Sequence, residues 1–113
     1  MIMNREDLIQ HIDNRLNSVF VKDGERWTLD KEQQGPPQTI IVNGQKLNQP
    51  GLTRHVNMLF EVFGDGMMKE GEKEEPFIQL HIKLDVDGQT NLDTEECIYY
   101  DEIDIIDELL SRL

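Results

Sequence analysis

The sequence predicts an α+β fold, an antiparallel sheet of about five strands with helices packed on one face, in the order α-β-β-β-α-β-β-α. Residues 77–86 alternate apolar and polar side chains, as a strand with one buried face does. Other segments carry apolar residues at helical spacing, and short strands meet at turn dipeptides. No parallel crossover is required, so we expect one α+β domain over residues 1–113.

The first helix is predicted over residues 4–17. Asn4 is a suitable N-cap, and two acidic residues follow in the first turn, where the helix dipole favours them. The apolar positions recur every three or four residues, as on one face of a helix. These residues, Leu8, Ile9, Ile12 and Leu16, are expected to enter the core.

Two tight turns are predicted in the next part of the chain. Asp23-Gly24 lies between alternating segments, and Asn43-Gly44 follows the apolar strand 39–42. A loop with one glycine and two prolines separates these hairpins, since proline cannot donate to a strand ladder.

A second helix is predicted over residues 52–63. Gly64 and Gly66 follow the segment and are typical of a helix C-terminus. Residues 67–76 are highly charged and lack periodicity, which predicts a mobile loop. The helical stripe consists of Leu52, Val56, Leu59, Phe60 and Phe63.

The C-terminal part is predicted to form a hairpin followed by a helix. Strand 77–86 should pair with residues 96–100, because the intervening segment is rich in the turn residues Asp, Gly and Asn. A third helix is expected from Asp101, its N-cap, to the end, with a broad apolar stripe.

The composition predicts a soluble cytoplasmic protein. The single cysteine, Cys97, cannot form an internal disulfide, and the sequence has no Asn-x-Ser/Thr acceptor, which fits a reducing compartment. The N-terminus lacks the pattern of a signal peptide, and no apolar stretch approaches the roughly 18 residues that span a bilayer. We therefore expect no membrane association.

The negative charge is confined to one half of the sequence. Residues 1–60 contain seven acidic and seven basic residues, whereas residues 61–113 contain sixteen acidic and four basic ones, which accounts for the net charge of −12. Such a surface repels nucleic acid and anionic membranes and attracts basic proteins. The alternative is that the acidity only keeps the protein soluble.

The predicted binding surface combines these acidic residues with exposed apolar ones. Residues 84–111 contain ten acids and no Lys or Arg, and Met and Tyr are residues suited to protein contacts. Met67 and Met68 could instead fill gaps in the core. The partner-binding set is Asp85, Asp87, Asp93, Glu95, Glu96, Asp101, Glu102, Asp104, Asp107, Glu108, Met67, Met68 and Tyr99.

The favoured function is a non-enzymatic module that docks a basic partner protein, as an inhibitor, an immunity protein or a chaperone would. The element order and acidity resemble those of class I type III secretion chaperones, which implies a homodimer that holds an unfolded effector segment. They are also similar to small immunity proteins that block basic nuclease toxins. A further hypothesis is a DNA mimic that inhibits a DNA-binding enzyme.

Catalytic and metal sites find less support in the sequence. A small enzyme using His81 and Cys97 remains the alternative from another class, although no third residue to orient them is evident. An EF-hand loop around Gly88 would place Lys83 at a ligand position, which rules it out. Weak cation binding by the aspartates of this segment stays open, and no cofactor is predicted.

Overall fold

A computed structural model describes residues 4–113 as an α+β protein that is mostly antiparallel sheet. Five strands form the main sheet in the order β1-β2-β5-β6-β7, and β3 and β4 form a separate two-stranded sheet. The elements are α1 (Arg5–Leu16), β1 (Val21–Asp23), β2 (Arg26–Gln34), β3 (Gln38–Val42), β4 (Gln45–Gln49), β5 (Thr53–Glu70), β6 (Lys73–Val86), β7 (Gln89–Tyr99), a 3-10 turn (Tyr100–Glu102) and α2 (Asp104–Leu110).

Helix α1 begins with a capping box, which confirms the predicted N-cap. The Asp7 backbone N–H donates to the Asn4 side chain at 2.9 Å, and the Asn4 N–H donates back to the Asp7 carboxylate at 3.2 Å. The inward side chains, spaced one turn apart, have no exposed surface: Leu8, Ile12 and Leu16.

The core is one apolar cluster that joins both helices to alternate residues of the sheet. Along β6, every second residue from Ile78 to Leu84 is buried, as its period-2 pattern predicts. The fully buried Trp27 donates its indole N–H to Asp13 of α1 at 2.9 Å, so its polar group is satisfied. We call the sheet face that carries Leu80 the inner face and the opposite face, with His81, the outer face.

The predicted helix over residues 52–63 is wrong, because β5 begins at Thr53 and includes the rest of this segment. Val56, Met58 and Phe60 alternate into the core, while Leu52 of the helical stripe is 75% exposed. β2 pairs along one side of β5 and β6 along the other. Cross-strand pairing and burial on one face therefore decide the conformation over a helical spacing that fits the same residues. The resulting order is α-β-β-β-β-β-β-β-α.

The predicted loop over residues 67–76 is also wrong, since it is a paired extension of β5 and β6. Glu70 pairs with Lys73 across a two-residue turn that contains Gly71. Charged side chains on both faces are compatible with strands here because both faces of this extension are largely exposed to water. We call residues 67–76 the arm.

The β3–β4 hairpin, residues 38–49, lies outside the core near the opposite end of β5. The Asn43-Gly44 turn is confirmed. The Gly35 N–H donates to the Leu52 carbonyl at 2.8 Å, which closes the chain below the hairpin. With the hairpin and the arm at opposite ends of the sheet, the molecule is elongated, with extents of 73 × 26 × 23 Å.

The C-terminal helix is shorter than predicted. Asp101 lies in the 3-10 turn instead of capping the helix, and α2 has no side-chain N-cap. Its buried side chains, Ile106 and Leu109, join the core. No helix in residues 4–113 is long and apolar enough to cross a membrane.

Removing the β3–β4 hairpin should leave the fold intact. Replacing residues 36–51 with Asn-Gly would join Gly35 to Leu52, which are already hydrogen bonded, and would remove no residue of the core cluster. We expect the Tm to change by less than about 5 °C, equivalent to about 1 kcal/mol, in thermal unfolding followed by circular dichroism.

The comparison variant is Leu80→Ala, which opens a cavity in the core and should cost about 2–5 kcal/mol. A hairpin deletion as destabilising as Leu80→Ala would show that the hairpin supports the core.

Candidate functional site: an acidic cleft beside the edge strand

Strand β7 is an edge of the main sheet, and its acidic side chains are divided between the two faces. On the outer face, Asp93 is in register with Lys83 of β6. Glu95, two residues further along, is in register with His81. Glu96 belongs to the inner face.

An acidic cleft of about 240 Å³ lies where β7 ends and the arm begins. Strands β5, β6 and β7 and the 3-10 turn contribute to it, so the cleft brings together residues that are distant in the sequence. The cleft contains two apolar or aromatic side chains and four carboxylates. Its lining is Met68, Glu70, Glu75, Tyr99, Asp101 and Glu102.

Phe77 and a glycine shape the sheet beside the cleft. Gly66 is in register with Phe77, and a Cβ atom at Gly66 would lie 2.4 Å from the Phe77 ring. The ring therefore covers the bare backbone of β5, an arrangement that requires glycine at this position. On its other side Phe77 contacts Tyr99, with ring centroids 5.8 Å apart. Gly66 is thus a strand residue and not the predicted helix terminus.

The four carboxylates of the cleft have no ion-pair partner among residues 4–113. No Lys, Arg or His nitrogen of that range lies within 4.0 Å of Glu70, Glu75, Asp101 or Glu102. None of the four therefore forms an ion pair, and the nearest cation by register is Lys73, opposite Glu70. Since like charges held close together repel, a cation brought into the cleft would relieve this repulsion.

The phenol of Tyr99 is affected by this environment. Partial desolvation raises the pKa of Tyr99, and the neighbouring Cys97 raises it further. The carboxylates of Glu102 and Glu75 act in the same direction, because negative charge disfavours a phenolate. Tyr99 is therefore neutral at physiological pH and presents an aromatic ring with a hydroxyl donor.

Other acidic residues of the predicted set contact histidine, lysine or arginine side chains. The His81 ring nitrogen is 2.7 Å from Asp93, and Lys83 is 3.9 Å from Asp85. The lysine reduces the charge that Asp85 offers to a partner. Three more acids are paired on the helical side of the molecule: Asp104 and Asp107 with Arg15 at 3.5 and 3.3 Å, and Glu108 with Arg112 at 3.7 Å.

Asp87 and Met67 are separated from the cleft. Asp87 is the first residue of the β6–β7 turn, where it adopts a φ of 52° ahead of Gly88 at 79°. Its carboxylate accepts the backbone N–H of His55 at 2.9 Å, which gives it a structural role. Met67 is in register with Pro76, on the face of the arm opposite to Met68. The two methionines therefore do not form one surface.

Glu70, Glu75 and Phe77 belong to the cleft region but were not predicted. Glu75 is in register with Met68, so the arm itself brings a carboxylate beside the methionine. Once the arm is known to be a hairpin, alternation along β5 and β6 places these side chains on the outer face. The charged composition concealed this period in the sequence.

His81 and Cys97 are not directly opposite each other in the sheet. The His81 ring contacts Asp93, which lies on one side of Glu95 along β7, while Cys97 lies on the other side. Among residues 4–113, no group of three His, Cys, Asp or Glu side chains could hold a metal ion.

A larger cavity of about 380 Å³ lies on the outer face of β2, β5 and β6. Its lining is of mixed charge, including Arg26, Asp30, Lys83 and Asp85. An antiparallel sheet commonly leaves one face exposed to water, and this shallow cavity is part of that solvated face.

Comparisons with protein-family models, with curated proteins and with solved structures gave no match to this chain.

The pKa of Tyr99 should report the charge of the cleft. In a Tyr100→Phe background Tyr99 is the only tyrosine, so absorbance can follow its ionisation. We expect its pKa to lie above the ordinary value and to fall when Glu75→Gln and Glu102→Gln remove two carboxylates that raise it.

The control for this titration is Asp23→Asn with Glu32→Gln, two exposed acids of β1 and β2. An equal fall in the control, or no fall with the cleft substitutions, would contradict the electrostatics described for the cleft.

Proposed function

We propose that this protein is a non-enzymatic binding module that docks a basic segment of a partner protein in the acidic cleft. The observation that carries the proposal is the grouping of four carboxylates without an ion pair around Met68 and Tyr99. This grouping includes four residues of the set predicted from the sequence: Met68, Tyr99, Asp101 and Glu102.

The cleft suits one long cationic side chain. The aliphatic stem of a Lys or Arg can pack on Met68 and on the ring of Tyr99, and its charged group can reach the carboxylates at the rim. The volume of about 240 Å³ is below the roughly 300–1,000 Å³ of sites for drug-sized ligands. A protruding side chain of a protein therefore fits the cleft better than a small molecule does.

Solubility alone explains this arrangement less well than binding does. Carboxylates that only keep a protein soluble are effective when they are dispersed, and they need no apolar neighbours. Here Met68 is 47% exposed within the cleft, beside carboxylates that form no ion pair. Exposed apolar groups surrounded by charge of one sign are suited to protein recognition, because the charge speeds encounter and the apolar groups contribute affinity.

The DNA-mimic hypothesis is less well supported. The molecule is 73 Å long and carries a net charge of −12. A DNA duplex of that length carries roughly 43 phosphate charges at one per 1.7 Å. Moreover, several of the acids are paired with His81, Arg15 or Arg112. The charge density is too low to imitate DNA along the length of the molecule.

The proposed docking is compatible with an inhibitor, an immunity protein or a chaperone-like protein, since each of them holds another protein. The resemblance to class I type III secretion chaperones was based on element order and acidity. With β5 in place of the second helix, the element order no longer supports it. The proposal therefore rests on the cleft.

Neutralising the cleft should abolish partner binding. The variant Glu70→Gln/Glu75→Gln/Asp101→Asn/Glu102→Gln removes four charges from exposed side chains and should leave the fold unchanged. In affinity capture followed by mass spectrometry, wild-type protein should recover a basic partner at low salt and release it at about 0.5 M salt, where screening is strong. The cleft variant should recover at least about tenfold less of it.

The matched control is Glu6→Gln/Asp23→Asn/Glu32→Gln/Glu72→Gln, which removes the same charge outside the cleft. It should retain most of the binding. Equal loss in the two variants would mean that only net charge matters, and undiminished capture by the cleft variant would refute the proposed site.

A further inference from the structure

The edge of β7 is long, and no other strand of residues 4–113 pairs with its free side. β7 extends for 11 residues, whereas the opposite edge of the sheet, β1, has only 3. A long exposed edge offers a row of backbone groups for pairing with another chain. β7 contains no proline or lysine to block such pairing, and its one bulge, at Asn91, lies near its beginning.

The register identifies which backbone groups of β7 are free. Val86 and Gln89 flank a two-residue turn, so they form a hydrogen-bonded pair, and such pairs alternate along an antiparallel ladder. Beyond the bulge, the residues whose N–H and C=O groups point to β6 are Leu92, Thr94 and Glu96. Those of Asp93, Glu95 and Cys97 point away from the sheet, where residues 4–113 provide no strand.

We infer that β7 accepts an extended basic segment of the partner as a sixth strand of the sheet, an inference that rests on the proposed function. Strand addition supplies main-chain hydrogen bonds, and side chains at alternate positions supply specificity. The mode is thus β-augmentation of an acidic edge that continues into the acidic cleft.

The two faces beside β7 specify an alternating segment. On the outer face, Asp93 and Glu95 favour Lys or Arg at every second position of the added strand. On the inner face, a groove of about 180 Å³ between β7 and α2 includes Leu92, Ile105 and Leu109. Apolar side chains fit there, although the groove is also bordered by charged side chains: Glu96, Glu108 and Arg112.

The charge on this edge favours a basic partner over a second copy of the chain. Pairing two β7 edges would bring Asp93 and Glu95 of each copy close to those of the other, and like charges across a strand pair are destabilising. A basic segment would instead place its cations opposite these carboxylates, which is favourable. The same carboxylates therefore prevent self-pairing and permit strand addition by a cationic chain.

The added strand would lead directly to the acidic cleft. At about 3.3 Å per residue, the distance along β7 from Asp93 to Tyr99 is about 20 Å. A segment of about eight residues could pair with the edge and place a terminal Lys or Arg between Tyr99 and Met68. The edge and the cleft thus form one continuous surface.

The test uses a synthetic peptide of about nine residues that alternates lysine and valine, long enough to cover the free edge. Its control has the same sequence with N-methyl groups on alternate amides, which keeps the charge but prevents strand pairing. We expect the N-methylated peptide to bind at least about tenfold more weakly in fluorescence anisotropy.

Residue-resolved amide exchange should locate the added strand. In the free protein, the N–H groups of Asp93, Glu95 and Cys97 should exchange rapidly, and the unmodified peptide should protect all three. The N–H groups of Thr94 and Glu96 should already be protected, because they pair with β6.

A variant tests the same point with every carboxylate retained. Cys97→Pro removes an outward N–H, which a proline on an edge strand can do without breaking the ladder to β6. It should weaken binding about tenfold, while Cys97→Ser should bind normally. Should Cys97→Pro fail to fold, the comparison of the two peptides and the exchange data decide the question.

The outcomes separate the two proposals. Equal binding of both peptides, or binding without protection at Asp93, Glu95 and Cys97, would refute strand addition and leave the acidic cleft as the docking site. Failure of both peptides to bind at low salt would overturn the proposed function and, with it, the inference that rests on it.

Discussion

The pairing of β5 with β6 is the interaction on which the rest of the structure depends. Within the core it places Phe60 beside Ile82 and Met58 beside Leu84, in the same apolar cluster as residues of the two helices. The same ladder continues past the end of β7 into the arm, where no core residue supports it. This continuation brings Met68 to the end of β7, and without it there would be no cleft.

Charge and backbone pairing have complementary roles on this surface. The arm and the 3-10 turn contribute carboxylates that form no ion pair within residues 4–113, whereas Asp93 contacts His81 and Asp107 is paired with Arg15. The cleft therefore groups four carboxylates that are free of ion pairs. An edge strand with free backbone groups leads up to that position, so a basic chain is attracted and then aligned by the same part of the molecule.

The sequence predicted elements with strong local signals and failed where two patterns coincided. Helix α1 and strand 77–86 each have one dominant period, and Asn43-Gly44 needs little context to form a turn. In residues 52–63, Val56 and Phe60 fit both a helical stripe and alternation, and only the neighbouring strands decide between them. The arm has no buried face, so its sequence shows no alternation of apolar and polar residues that would predict strands. Tyr99 and Met68 were predicted as contact residues, but their grouping with Glu75 depends on that arm.

The central claim is that residues 67–76 are a paired arm and not a loop, and cross-strand nuclear Overhauser effects test it most directly. Lys69 and Glu74 are in register, as are Met67 and Pro76, and both pairs are of the type whose Cα atoms lie only about 4.5 Å apart. The account predicts strong contacts between the Hα protons of each pair, with strand-like chemical shifts throughout the arm. Random-coil shifts without these contacts would contradict it, because Met68 and Glu75 would then not be held beside Tyr99.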